Sequence, residues 1–481
     1  MNGTDSIHPE YIPPRFKWTK RIAWGSLGLV VLIVASWGSA TLIAQHRFDT
    51  MIASYRAAGD PVFAEDFNVF KSIPDEENAA TYYKQAEIAY AWPASFDASL
   101  RIYKLSNAVR YGEVDSYSIE IDHLITTNGT TLELLERGAR CHDLEWNITR
   151  TRPLIISPSF NNRGQSDLSR LLHVAAGQAR RSNQDRRALA LLSTQMRFGT
   201  HVAAGCGDIF AQQVAMSCFH RVCDAVELWC HELPVSQIGD ETDGAMATRR
   251  QVVELVHDLL DERDLAESMN LAIVIERAAN IDAIISYCDA DPAFGVGSWL
   301  SPRSNFMLRS PWLTEGRRLA EYFTRSNKAY LHDNFQYVMK ETPELPRFTI
   351  DSQIDISLRP GMSFMPATRL FVWLVFRAKA SRRLAATALA IRLYEIDHGH
   401  RPEALAQLVP DYLDKVPEDP FAHDNKPIQY VPEAESPLLY SVGKDGVDDG
   451  GRFALRAPGV IDREKLDMVF FLNGDRYQSN P

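Results

Sequence analysis

The sequence predicts a mainly α protein: an N-terminal transmembrane helix, an irregular helical bundle or solenoid of helical hairpins, and a small C-terminal α+β module. Three observations carry this prediction. Residues 22 to 44 contain no Asp, Glu, Lys, Arg or His; residues from about 76 to 399 repeat apolar side chains every three or four positions; and beyond residue 400 short apolar runs alternate with turn residues.

The uncharged run reads IAWGSLGLVVLIVASWGSATLIA. As a helix it is about 35 Å long, enough for a hydrocarbon core of about 30 Å. Trp24 and Trp37 lie toward its ends, where amphipathic rings favour the membrane interface. A cleaved signal peptide has an apolar core of only about 7 to 15 residues and a short basic start. Here the core is longer, the preceding segment has 21 residues, and Ser39-Ala40 is a poor cleavage site. An uncleaved, single-pass signal anchor is therefore expected.

Before the run, Arg15, Lys17, Lys20 and Arg21 outweigh Asp5 and Glu10, whereas only Arg47 and Arg56 follow closely. The basic excess predicts a cytoplasmic segment 1–21, a transmembrane helix 22–44 and translocation of the rest. In a bacterium this places the protein in the inner (cytoplasmic) membrane with its bulk in the periplasm. Residues 370 to 376 are apolar but too few for a second span. The net charge of −11 argues against a nucleic-acid partner, because neutralising phosphates requires a basic face.

The expected domains are a helical extracytoplasmic region, 45–363, and a long helix with a C-terminal module, 364–481. Helices are predicted at about 76–92, 116–139, 208–231, 245–287, 313–340 and 364–398. The clearest unit is a hairpin: Leu168, Leu171, Leu172, Ala175 and Ala179 form one stripe, Ser182 to Asp185 turn the chain, and Ala188, Leu189, Leu192 and Met196 form the next. It resembles a tetratricopeptide-type hairpin, but no 34-residue repeat accompanies it. Segments 153–164, 291–311 and 342–366, rich in Pro, Gly or Ser, are either packed extended connections or functional loops.

Cys141, Cys206, Cys218, Cys223, Cys230 and Cys288 are an even set, open to disulfide formation in an oxidising compartment, although reduced core thiols are the favoured reading. Cys141-His142 and Cys230-His231, with Cys218-x-His220-x-x-Cys223, have soft-metal chemistry. Adjacent helical residues point about 100° apart, however, which disfavours both members of a pair reaching one ion. No Gly-x-Ser-x-Gly elbow, His-Glu-x-x-His helix or Walker loop occurs, and Gly295-Val-Gly297 lacks the third glycine of a dinucleotide site. His398-Gly399-His400 reads as a helix C-cap, and Glu254, Asp258, Asp261 and Glu262 beside Arg249, Arg250 and Arg263 as a solvated charged face. No catalytic or cofactor-binding residue is assigned.

After the helix ending Tyr394-Glu395-Ile396-Asp397-His398-Gly399 come Arg401-Pro402, Leu405, Leu408, Val409-Pro410, Pro417, Asp419-Pro420-Phe421, Tyr430, and Tyr440-Ser441-Val442-Gly443 with Asp445-Gly446. This order resembles the globular part of type II secretion major pseudopilins. Similar segments close uncharacterised bacterial membrane-anchored proteins with an early Glu-Asn-Ala-Ala…Tyr-Tyr box, here Glu77-Asn78-Ala79-Ala80-Thr81-Tyr82-Tyr83. The chain resembles that second group, since the anchor has neither the processed leader nor the early Glu of a pseudopilin.

The resemblance implies a pseudopilin-like module and a calcium loop, for which Asp445, Asp448, Asp449 and Asp467 are the candidate ligands. Only Asp445 matches the family motif directly. A solvated acidic turn is the alternative, and no other cofactor is expected. The leading functional expectation is a non-enzymatic periplasmic scaffold or interaction protein with a protein or envelope partner, tethered to the membrane through residues 22–44. An envelope hydrolase with a site assembled from loops, and an accessory component of a secretion system, are the alternatives.

Overall fold

The computed structural model describes residues 15–91, 96–152, 154, 161–236, 244–289, 306–343, 367–434, 436–457 and 460–474. The helices are α1 (Arg15–Ala57), α2 (Ala79–Ala89), α3 (Phe96–Arg110), α4 (Ser118–Thr127), α5 (Gly129–Arg140), α6 (Asn162–Arg181), α7 (Asp185–Cys206), α8 (Ile209–Trp229), α9 (Arg249–Leu260), α10 (Arg263–Cys288), α11 (Phe306–Tyr330), α12 (Phe335–Glu341) and α13 (Ala367–His398). The strands are β1 (Gln429–Val431), β2 (Leu438–Ser441), β3 (Phe453–Ala457), β4 (Val460–Leu466) and β5 (Met468–Phe471).

The expected mainly helical architecture with one long apolar N-terminal helix and a small sheet region is what the chain forms. Among the described residues α1 alone is long and apolar enough to cross a membrane. Its end packs as a soluble helix does: Phe48, Met51 and Tyr55 form a core with Ile281 and Ile284 of α10 and Trp312, Leu313 and Ala320 of α11.

The predicted hairpin is α6 and α7, which pack side by side, with α8 folding back onto both. Gly207 turns α7 into α8 at φ +62°, and Asp208 then caps α8 through Ala211 N. Three predicted helices are broken by local polar chemistry. Asn128 separates α4 from α5, its amide donating to Leu124 O and accepting from Ala91 N. Asp261 and Glu262 separate α9 from α10, and Asn334 starts α12 by accepting from Tyr337 N. At the other end of its span the third helix begins earlier than expected, at Phe306, with Pro311 inside it.

The Glu77-to-Tyr83 box proves to be a structural clamp. Asn78 caps α2 through Ala80 N, while its side chain also accepts from Glu145 N and donates to Glu145 O. Tyr83 is fully buried, stacks on Trp146 and hydrogen-bonds His201. Gly138 of α5 has no room for a Cβ, which would lie 2.5 Å from that ring.

The described cysteines Cys141, Cys218, Cys223, Cys230 and Cys288 form no disulfide, and all but Cys141 are buried. His398 and Gly399 end α13 as expected: Gly399 takes φ +75° and its N–H bonds Glu395 O, while His398 stacks on Tyr394. The acidic face of α9 is neutralised by Arg250–Glu254, Arg263–Asp261 and Arg197–Asp258 pairs, and Arg383 binds Glu262.

β1, β2 and β5 form an antiparallel sheet in that spatial order, with Tyr430 opposite Leu439 and Leu439 opposite Phe470. β3 and β4 form a separate hairpin. β2 and β5 are buried on both faces: Leu439 and Phe470 enter the main core, while Leu438, Tyr440, Val469 and Phe471 form a small second one. Buried Asp419 ties two of the sequence motifs together, accepting from Phe421 N, Ser441 Oγ and Val442 N.

Candidate functional site

A cavity of about 440 Å³ lies where α3, α6, α8 and α13 meet. Helical spacing aims each contribution inward. Tyr103, Ser106, Asn107 and Arg110 share one face of α3, and Arg170 and His173 are one turn apart on α6. Gln213, Ser217, His220, Arg221 and Asp224 run along α8, and Arg377 comes from α13. The lining therefore carries four guanidinium groups and one carboxylate, on a protein whose net charge is −11.

Two of the arginines are neutralised. Arg110 Nε lies 3.0 Å from Asp224 Oδ2, and Arg170 Nη1 lies 2.6 Å from Asp167 Oδ1 with its guanidinium over the Tyr103 ring. Arg221 instead donates to a neutral hydroxyl, Ser169 Oγ, at 3.1 Å. Burial, with Arg170 and Arg110 nearby, draws its pKa down to about 10, so it remains cationic near neutral pH. Arg377 stacks on Trp373 at 5.3 Å.

His173 is 0% exposed, and neither ring nitrogen has a hydrogen-bond partner among the described residues. Burial first, then Arg221 and Arg110, push its pKa down to about 3, with Asp224 opposing. The imidazole is therefore neutral and offers one donor and one acceptor beside the cavity. An orphan buried polar group costs about 1–3 kcal/mol, and orphans of this kind are filled by water or ligand. His220 Nδ1 donates to Met216 O at 2.7 Å, which fixes that ring.

The arrangement is suited to holding an anion. Arginine forks match the oxygens of phosphate and carboxylate groups, and partial burial strengthens each contact. The volume lies within the range of small-molecule sites. Burial drives the Cys218 thiol up to about 11, and it donates to Ser169, so it is a structural thiol rather than a nucleophile.

The depressed pKa of His173 has a thermodynamic consequence. The folded protein binds this proton less readily than the unfolded chain, so the stability gained is complete above about pH 6.5 and is lost as pH falls toward 3. By about pH 5 the loss reaches about 2 kcal/mol for this residue. His201, lowered to about 4, acts in the same direction, whereas Glu276, raised by burial to about 7, loses stability as pH rises. The difference between wild type and His173→Gln, measured by urea unfolding at pH 7 and pH 5, isolates the His173 contribution. The acid-induced loss is expected to be smaller in the variant by about 2 kcal/mol.

The sequence-predicted ligands lie elsewhere, around the turn between β2 and β3. Asp467, fully buried, accepts from Asp449 N and Gly451 N, and its pKa is raised to about 6, chiefly by burial. Asp448 accepts from Tyr440 Oη and Gly450 N, Asp445 from Val447 N, and Asp449 pairs with Arg452. Asp448, Asp449 and Asp467 thus border one turn, whereas Asp445 serves its own bend. Among the described residues no group of three or more His, Cys, Asp or Glu side chains is arranged to hold a metal ion. Of the loops 153–164 and 291–311, expected to supply a hydrolytic site, residues 153, 155–160 and 291–305 lie outside the described residues.

The arginine cavity escaped the sequence reading. Arg170 and His173 fall between the apolar positions that mark α6 in the sequence, and His220 stands out there only through its spacing to Cys218 and Cys223. The available signal was the polar series Gln213, Ser217, His220, Arg221 and Asp224 within an otherwise buried helix. No known protein family, curated protein or solved structure matches this chain.

Proposed function

We propose that the protein is a single-pass, membrane-anchored extracytoplasmic binding protein whose helical domain takes a small anion, bearing phosphate or carboxylate, in the four-arginine cavity. The observation that carries this reading is fully buried His173, with no hydrogen-bond partner on either nitrogen among the described residues, beside four arginines and one carboxylate. In this reading the periplasm is the compartment sampled. The C-terminal module, which resembles the globular part of pseudopilins, packs behind α13 as a structural cap.

The scaffold role expected from the sequence thereby gains a chemical specificity. Titration of the full chain in nanodiscs with inorganic phosphate, pyrophosphate and citrate, against chloride at equal ionic strength, tests it. A ligand at about 100 times its Kd stabilises the fold by about 2.7 kcal/mol, which thermal unfolding detects as a higher midpoint. No shift with any of the three anions overturns the reading.

A further inference from the structure

We propose that the domain is not held away from the membrane on a stalk but is seated in the bilayer surface, with the first turns of α11 inserted among the lipid headgroups beside α1. The inference concerns a lipid contact and is independent of the anion cavity; it rests on α1 spanning a bilayer.

The heights of α1 and α11 can be matched from their contacts. Tyr55 Oη lies 2.8 Å from Thr324 Oγ1, a Cβ on Gly316 would lie 3.1 Å from Phe48, and Ser310 Oγ comes within 3.5 Å of Ala40 O. The two helices therefore run parallel, and Ser310 stands level with Ala40, four positions inside the uncharged run that ends at Ala44. Phe306 begins the helix one turn deeper. With 1.5 Å per residue, Ser310 lies about 6 Å and Phe306 about 12 Å below the level of Ala44.

The burial pattern of α1 agrees. Residues 27 and 29–34 are exposed, but from Trp37 onward one face, Trp37, Gly38, Thr41, Ala44, Gln45 and Phe48, is covered. Cover thus begins about 10 Å before the run ends. Interfacial helices bury their apolar faces about 5 to 10 Å into the headgroup and acyl boundary, and the 23-residue run exceeds the hydrocarbon thickness by only about three residues. The level reached by α11 is therefore that of the headgroups and upper acyl chains.

The chemistry of the segment fits that level. Phe306-Met307-Leu308-Arg309-Ser310-Pro311-Trp312-Leu313 has no acidic residue, the first being Glu315. Its one cation turns away from the bilayer: Arg309 Nη2 reaches Gln45 Oε1 at 3.3 Å and Asp289 Oδ1 at 3.8 Å, although neighbouring Ser310 stands level with Ala40. This is how long basic side chains behave at a membrane boundary, with the stem in the apolar layer and the charge in the polar one.

The test is electron paramagnetic resonance depth measurement on the full chain in vesicles of phosphatidylethanolamine and phosphatidylglycerol. Nitroxides are placed singly at Phe306→Cys, Met307→Cys and Leu308→Cys in a Cys141→Ser, Cys206→Ser background. Val34→Cys on α1 serves as the lipid reference and Lys328→Cys on α11 as the aqueous one. The expected result is high oxygen and low nickel-chelate accessibility at one or more of the three sites, giving the depth parameter the sign seen at residue 34 and opposite to that at residue 328. Nickel accessibility at all three like that of residue 328, or low accessibility to both reagents at all three, overturns the proposal. Three separate sites keep the test decisive if one variant fails to fold.

Discussion

Arg221→Gln is expected to weaken binding of whichever anionic probe occupies the cavity by about 10- to 100-fold, the cost of one lost charge-assisted hydrogen bond. The same change is expected not to lower the unfolding midpoint of the ligand-free protein. Arg221 has no hydrogen bond to a carboxylate among the described residues, and burial, reinforced by Arg170 and Arg110 and opposed by Cys218 and Asp224, disfavours its charge in the folded protein. Loss of affinity without loss of stability distinguishes a binding residue from a packing one. Calorimetric titration and thermal unfolding on the same preparation read both quantities; a variant that binds normally, or one that binds poorly only because it is unfolded, would refute the assignment. Arg110 is a poorer choice for this test, because it also forms an ion pair with buried Asp224.

The largest effect on stability is expected at a different arginine. Arg382 of α13 is 1% exposed and serves the end of another helix: Nε donates to Leu259 O at 3.0 Å, and Nη2 donates to Asp258 O at 3.0 Å and Asp261 O at 2.5 Å. Its guanidinium also lies over the Phe219 ring at 4.8 Å. The last carbonyls of a helix have no intrahelical donor, so a buried terminus needs partners from outside. Here they come from 121 to 124 residues further along the chain. Arg382→Ala removes all three bonds and leaves a cavity where α8, α9 and α13 meet, at an expected cost of about 3–5 kcal/mol. Arg382→Met refills most of the volume but supplies no donor, and it is expected to recover less than half of that loss. Full recovery by Met in urea unfolding would show that packing, not capping, is what Arg382 provides.

Much of the architecture was legible from residues alone. The helix ending at His398 needs only the apolar spacing of α13 and a glycine able to take positive φ. The α6–α7 hairpin follows from two stripes and a polar turn, and α1 from the absence of charge. Where helices broke at Asn128, at residues 261–262 and before Asn334, apolar spacing continued across the gap, so periodicity by itself joined what side-chain hydrogen bonds separate. The strand β5 was missed for a related reason: Met468-Val469-Phe470-Phe471 is apolar on both faces, and without alternation a short run gives no strand signal. Its partner β2 is set off by flanking turn residues, the kind of punctuation that marks a short strand in sequence.

The sequence by itself determined that this chain has one membrane-crossing candidate, a helical body and a turn-rich C-terminal module. Each depends on pattern within a local window. The arginine cavity, the cap on α9 and the parallel register of α11 against α1 were decided by tertiary structure alone. Each joins residues from separate helices, from Arg110 to Arg377 in the cavity and from Ala40 to Ser310 at the anchor. Electrostatic fields and burial depend on distances in space, and a cation among helices is indistinguishable in sequence from one facing water.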